Sequence, residues 1–187
     1  MNLPARLLLQ TLTLALLTSA ASAWAQKVRL ATSEGDIVLE LDAEKAPKTT
    51  ANFLQYVRDG HYNGLIFHRV MNGFMVQGGG YKPDMSEKPT RKPIALESRN
   101  GLSNVRGSVA MARTNDPNSA TAQFFINVAD NLRLDAAEGR DGYAAFGKVV
   151  EGMEVVDKIK ELPTRAAGMH QNLPVKTVTI SKATVEK

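Results

Sequence analysis

Short stretches in which apolar and polar side chains alternate every second residue recur along this chain, and that period constrains the fold more than any other feature. In 27–33, Val28, Leu30 and Thr32 alternate with Arg29 and Ala31; in 36–41, Ile37, Leu39 and Leu41 alternate with Asp36, Val38 and Glu40. Glu34-Gly35 between them reads as a tight hairpin turn, the glycine free to take positive φ. Further strands are predicted at 65–70, 74–77, 107–112, 123–128 and 143–149, and a last one at 175–181 with Val178 and Ile180 on one face. Only two segments carry helical signals. One has Pro47 at a first helical position, Phe53, Leu54 and Val57 on one face, and Gly60 as its stop; the other runs from Gly152 to Glu161 with Met153, Val156 and Ile159 inward. Many short strands with two helices predict an all-β barrel or sandwich whose ends the helices close.

A length of 187 residues suits one domain, and no repeat or linker divides it. The formal net charge of +4 is spread along the chain without a basic run, so no nucleic-acid partner is expected. Absence of cysteine excludes disulfides, thiolate nucleophiles and Cys-based metal sites. The first 25 residues have the three parts of a secretory signal: Arg6 in a charged start, an apolar stretch from Leu7 to Leu17, and a small-residue end. Cleavage fits after Ala21-Ser22-Ala23 or after Ala23-Trp24-Ala25; the second frame is favoured and makes Gln26 the first mature residue, leaving 26–187 as the domain and no tryptophan. The apolar stretch is about half the ~20 residues that span a bilayer, so an export signal is read in preference to an anchor, and no later segment is apolar enough to span. No heptad or long apolar surface stripe is evident, so a monomer is expected.

His61, His68 and His170 show no metal-ligand spacing, so no metal and no cofactor is expected. No Gly-x-Ser-x-Gly elbow points to a hydrolase, although a catalytic triad is spatial and needs no sequence spacing. Gln77-Gly78-Gly79-Gly80 lacks the Gly-Lys-Ser/Thr of a phosphate loop; its glycines read as a strand end that another segment approaches closely. The informative stretch runs from Phe67 to Gly79. Alternation puts Phe67 and Arg69 on one face, followed by a Met71-Asn72-Gly73 turn and Phe74. Spacing alone leaves two readings open: an arginine working beside apolar side chains, or one exposed on a barrel surface above a buried Phe and Met.

Phe67-His68-Arg69 followed by Gly73-Phe74-Met75-Val76-Gln77-Gly78-Gly79 resembles the signature of the cyclophilin-type peptidyl-prolyl cis-trans isomerases. Gly107 to Ala112, Gln123-Phe124-Phe125-Ile126 and Phe146-Gly147-Lys148-Val149 resemble that family's next segments, in order, over about residues 27–182. With the export signal, the chain is most similar to periplasmic bacterial members. The resemblance implies a closed antiparallel eight-stranded β-barrel capped by two α-helices, and acceleration of rotation about Xaa-Pro bonds in exported proteins. It implies Arg69 as the catalytic residue, with Phe74, Met75, Phe125 and Leu134 lining the proline pocket. Gln77 and the main chain of Ala112 and Arg113 would hold the substrate backbone, and Gln123 would support that face. Three positions depart from the eukaryotic pattern. Arg133 replaces a tryptophan, Tyr143 a histidine, and Arg113 an asparagine. Tyr143 matches the periplasmic type, whereas loss of the tryptophan, which donates a hydrogen bond to cyclosporin in the family, implies weak binding of that drug. The partners expected are proline-containing polypeptides. The same groove could serve a chaperone that grips proline segments, with isomerisation incidental.

Overall fold

The computed structural model describes residues 26–186; the stretch read as an export signal, with its two expected cleavage frames, lies outside the described residues. Ten strands and two helices follow one another: β1 (Gln26–Thr32), β2 (Gly35–Leu41), α1 (Pro47–Arg58), β3 (Leu65–Met71), β4 (Met75–Gly78), β5 (Ser108–Met111), β6 (Phe124–Asn127), β7 (Ala145–Glu151), α2 (Met153–Lys160), β8 (Thr164–Ala167), β9 (His170–Pro174) and β10 (Thr179–Val185). Eight of the strands close into an antiparallel barrel in the order β1-β10-β3-β4-β6-β5-β7-β2, the barrel that the sequence implied.

Alternation explains which face each side chain takes. Val28 and Leu30 sit opposite Leu39 and Ile37 on one side, and opposite Val185 and Ala183 on the other. These side chains fill the interior together with Leu65, Phe67, Val70, Val76, Phe124, Ile126 and Phe146. Helix α1 closes one end through Phe53, whose ring lies 5.1–5.4 Å from the rings of Tyr62, Phe124 and Phe146. Ala46 offers α1 no side-chain cap. The carboxylate of Glu97 accepts from the amides of Lys48 (3.1 Å) and Thr49 (2.8 Å) instead, satisfying helix donors from a loop 48 residues away.

Four expectations are corrected. The turn between β1 and β2 is Ser33-Glu34, and Gly35 opens β2; its φ of +134° and a position where a Cβ would lie 2.8 Å from Val155 on α2 both require glycine. The last strand starts four residues later than the predicted 175–181, because 180–185 are the residues that pair with β1. Val178 and Ile180 do point inward and are fully buried. Residues 164–174, which carry no predicted strand, form the separate β8–β9 hairpin. Most of β8 is exposed, so no buried face imprints alternation on its sequence.

The fourth correction matters most for the site. Phe67 and Arg69 do not share a face. Phe67 pairs with Gly78 and Arg69 with Gln77, so two steps on β3 match one on β4, and His68 is the extra residue of a β-bulge. The bulge reverses the alternation. Phe67 stays in the interior while Arg69 turns outward.

Candidate active site

Outside the barrel, cross-strand pairing draws a single row: Arg69 on β3 lies beside Gln77 on β4, Gln77 beside Phe125 on β6, Phe125 beside Ala110 on β5, and Ala110 beside Ala145 on β7. At the usual strand spacing this row runs roughly 19 Å across five strands. Met75, Ala110, Phe125 and Ala145 form a second, smaller apolar cluster there, against which Phe74, Ala112, Leu134 and Tyr143 pack half-buried. Every apolar side chain that the sequence assigned to the proline pocket therefore belongs to one outer patch. Arg69 stands at the end of its row.

The polar side chains are chained together. Arg69 Nη1 donates to Gln77 Oε1 at 3.3 Å, and Gln77 Nε2 donates to Gln123 Oε1 at 3.0 Å. An amide has two donor protons and two acceptor lone pairs, so Gln77 keeps one of each for another partner. Gln123 lies against Gly80, where a Cβ would come within 2.7 Å of its amide, so the third glycine of the Gly78-Gly79-Gly80 run is where this side chain passes. The Ala112 amide donates to the Gln123 carbonyl at 3.0 Å, so among the described residues the Ala112 carbonyl and both main-chain groups of Arg113 remain without a partner.

Two aromatic–arginine stacks edge the patch. The Arg113 guanidinium lies 4.6 Å above the Tyr143 ring, which meets Phe125 edge-on at 5.8 Å. The Arg133 guanidinium lies 4.8 Å above the Phe74 ring. Arg133 thus covers one face of Phe74 by cation–π stacking. Behind Arg69, His68 is buried with its ring 4.7 Å from Tyr81, and burial pushes its imidazole down to about 4. That ring is neutral near pH 7 and offers the site no acid.

Sequence reasoning missed a buried amide relay beneath the patch. Asn131 Nδ2 donates to the Phe74 carbonyl (2.7 Å) and to Asn127 Oδ1 (2.8 Å); Asn127 Nδ2 donates to Ser108 Oγ (2.9 Å) and Asn104 Oδ1 (3.2 Å). Asn104 Nδ2 reaches Asp135 Oδ1 (2.9 Å) and the Tyr143 carbonyl (3.2 Å). Three asparagines that are at most 2% exposed thereby tie the loops carrying Phe74, Leu134 and Tyr143 to β6. Asparagine is ordinarily a turn residue, so nothing local marks these three as interior.

The sequence profile described as "Cyclophilin type peptidyl-prolyl cis-trans isomerase/CLD" matches residues 27–185. The chain is 50% identical over 186 residues to "Peptidyl-prolyl cis-trans isomerase A" of Dickeya dadantii, covering 97% of this chain and 98% of that one. It is 54% identical over 159 residues to "Peptidyl-prolyl cis-trans isomerase B" of Escherichia coli, covering 83% and 97%. A crystal structure of a Cryptosporidium parvum cyclophilin-type isomerase in the presence of the dipeptide Ala-Pro superposes with a TM-score of 0.73 at 27% identity, covering 87% of this chain and 99% of that one. The bulged arginine, the apolar patch and these likenesses agree: this chain belongs to the cyclophilin-type peptidyl-prolyl cis-trans isomerases.

Proposed function

We propose that the outer patch is the isomerase site, that Arg69 is its catalytic residue, and that the proline ring seats on Phe74, Met75, Phe125 and Leu134. The observation that carries this reading is the pairing of a half-buried, permanently charged guanidinium with that apolar surface along one row of the sheet. Rotation about a peptide bond costs ~18–20 kcal/mol because the nitrogen lone pair is delocalised into the carbonyl. Cis and trans Xaa-Pro differ by only about 0.5–1 kcal/mol, so the task is kinetic. No covalent bond forms and no proton has to leave. In the twisted amide the prolyl nitrogen pyramidalises and its lone pair becomes an acceptor that neither planar isomer presents. Arg69, held toward the patch by Gln77, donates a hydrogen bond to it there. A contact made only in the twisted state lowers the barrier instead of tightening ground-state binding.

Gln77, with its free proton and lone pair, the Ala112 carbonyl and the Arg113 amide hold the extended peptide on either side. Gln123 keeps Gln77 in place. Tyr143 supports Phe125 from the flank. The Ala-Pro dipeptide present with the Cryptosporidium parvum relative favours a proline-bearing ligand for this patch.

Residues 1–25, read as an export signal, extend the proposal: the clients are exported polypeptides whose folding waits on proline isomerisation, met in the periplasm by a monomeric 26–187 domain. With Arg133 in place of the tryptophan, cyclosporin binds weakly. An isomerisation assay on a short Xaa-Pro peptide tests the centre of this reading. Arg69→Ala is expected to lose about a thousandfold in kcat/KM, which is ~4 kcal/mol of transition-state stabilisation and within the reach of one such donor. A variant that turns over at the parent rate removes Arg69 from the mechanism.

A further inference from the structure

Three arginines edge the outer patch, and like Arg58, Arg99, Arg140 and Arg165 they lack the carboxylate partners that three other described arginines have. Arg29 pairs with Asp36 at 3.0 Å and Glu186 at 2.7 Å, Arg91 with Asp59 at 3.0 Å, and Arg106 with Asp157 at 2.7 Å. Among the described residues, Arg69, Arg113 and Arg133 have no carboxylate within ion-pair distance; Arg69 instead meets an amide oxygen, Arg113 two main-chain carbonyls and a ring, and Arg133 a ring. The nearest acid in sequence to Arg133, Asp135, has an oxygen turned to the amide and side chain of Asn104.

The two outer arginines are also held still. Arg113 Nε donates to the Gly142 carbonyl at 2.9 Å and Nη1 to the Thr114 carbonyl at 2.8 Å, which leaves Nη2 uncommitted. Arg133 is exposed and its charge is fixed over Phe74 by stacking, which leaves the in-plane N–H donors open. The segments that carry them are joined, since the Tyr143 amide donates to the Leu134 carbonyl at 2.8 Å. Stacked on rings that belong to the apolar patch, both guanidinium groups face whatever chain lies across it. Preorganised donors lose less side-chain entropy on binding than free ones.

We propose that Arg113 and Arg133 are specificity-determining residues that select Xaa-Pro segments bearing an aspartate or glutamate within two or three residues of the proline. The inference rests on the isomerase reading of this patch and names the class of client it prefers. A carboxylate pairs with a guanidinium that has no competing partner, and the shared positive field steers acidic segments to the groove before any contact forms. Basic segments meet repulsion from the same two groups.

The test uses short Ala-Pro peptides that differ in one flanking residue, Glu, Gln or Lys, with kcat/KM measured at about 20 mM and about 500 mM salt, where screening is weak and strong respectively. One exposed guanidinium–carboxylate pair changes affinity by roughly two- to fivefold. The parent protein is therefore expected to turn over the Glu peptide about fivefold better than Gln, and Lys less well than Gln, at low salt, with both gaps closing at high salt. The double variant Arg113→Gln/Arg133→Gln should bring the Glu-to-Gln ratio to about one, and reversing both charges in Arg113→Glu/Arg133→Glu should invert the order in favour of Lys. A ratio near one in the parent at low salt overturns the proposal, as does a ratio that survives in the double variant. Gln-peptide turnover that depends on Arg69 but gains nothing from Glu refutes this inference alone. No turnover of any of the peptides refutes the isomerase reading itself.

Discussion

Replacing Asn131 by alanine probes the buried relay that holds the pocket walls. The side chain is 2% exposed and spends both donors inward, on the Phe74 carbonyl and on Asn127 Oδ1. Truncation affects the two acceptors differently. The Phe74 carbonyl also receives the Val128 amide at 3.1 Å and keeps that partner. Asn127 Oδ1 is left buried with no donor among the described residues. One net hydrogen bond contributes about 1 kcal/mol, and a stranded buried acceptor costs about 1–3 kcal/mol more, so Asn131→Ala should lose ~3 kcal/mol. For a chain of this size the loss lowers Tm by roughly 6–12 °C. The main-chain bonds at 131 survive, so the fold persists. Asn131→Asp should be worse, because it turns an acceptor toward two acceptors. Urea denaturation followed by far-UV circular dichroism measures the stability. The isomerase rate on an Xaa-Pro peptide, taken well below the new Tm, should also fall as Phe74 loosens. An alanine variant within about 0.5 kcal/mol of the parent, or an aspartate variant more stable than alanine, would refute the account.

The other perturbations separate the site from the scaffold. Gly80→Ala should cost little stability, since the nearest atoms the added Cβ meets belong to the movable Gln123 side chain, but it pushes that side chain off Gln77; a several-fold drop in kcat/KM with nearly unchanged Tm is expected, and unchanged kcat/KM would show that Gln123 does not matter. Acid should destabilise the fold in two stages. His68 sits at about 4 because of burial, below its unfolded value of 6.5, so the unfolded chain takes up that proton first and stability present above pH 6.5 is lost as pH falls toward 4. Below that, Asp157, held at about 2 first by the hydrogen bond from Arg106 and then by Lys160, and Glu34, held low by Lys176 and Lys158, add a further loss. A urea midpoint that stays flat from pH 7 to 3 would contradict both stages, and an NMR titration of His68 with a midpoint above 6 would contradict the first.

How much was legible in the sequence depends on how far apart the deciding residues lie. The period-two segments, the proline that opens α1, the glycine that ends it and the Phe67–Gly79 signature are local. They were sufficient for the number of barrel strands and for both helices, although the last strand was placed four residues early, and the side chains of the outer patch came from the family resemblance. The bulge at His68 was not, because a two-for-one step on β3 is defined only against its partner β4. Nor was the β8–β9 hairpin, whose largely exposed strand leaves no hydrophobic period to read.

The sequence by itself determined the fold class, the family and the identity of the residues beside Arg69, since alternation and contiguous motifs are carried by neighbours along the chain. Only the tertiary structure decided which way Arg69 faces, that Arg133 lies on Phe74, and that three asparagines are interior. Each of those depends on contacts between segments distant in the chain, such as the 46 residues from Gln77 to Gln123 and the 57 from Phe74 to Asn131. Periodicity says which side chains point the same way within one strand. Closing the barrel decides which strands meet, and therefore which charges and amides face one another.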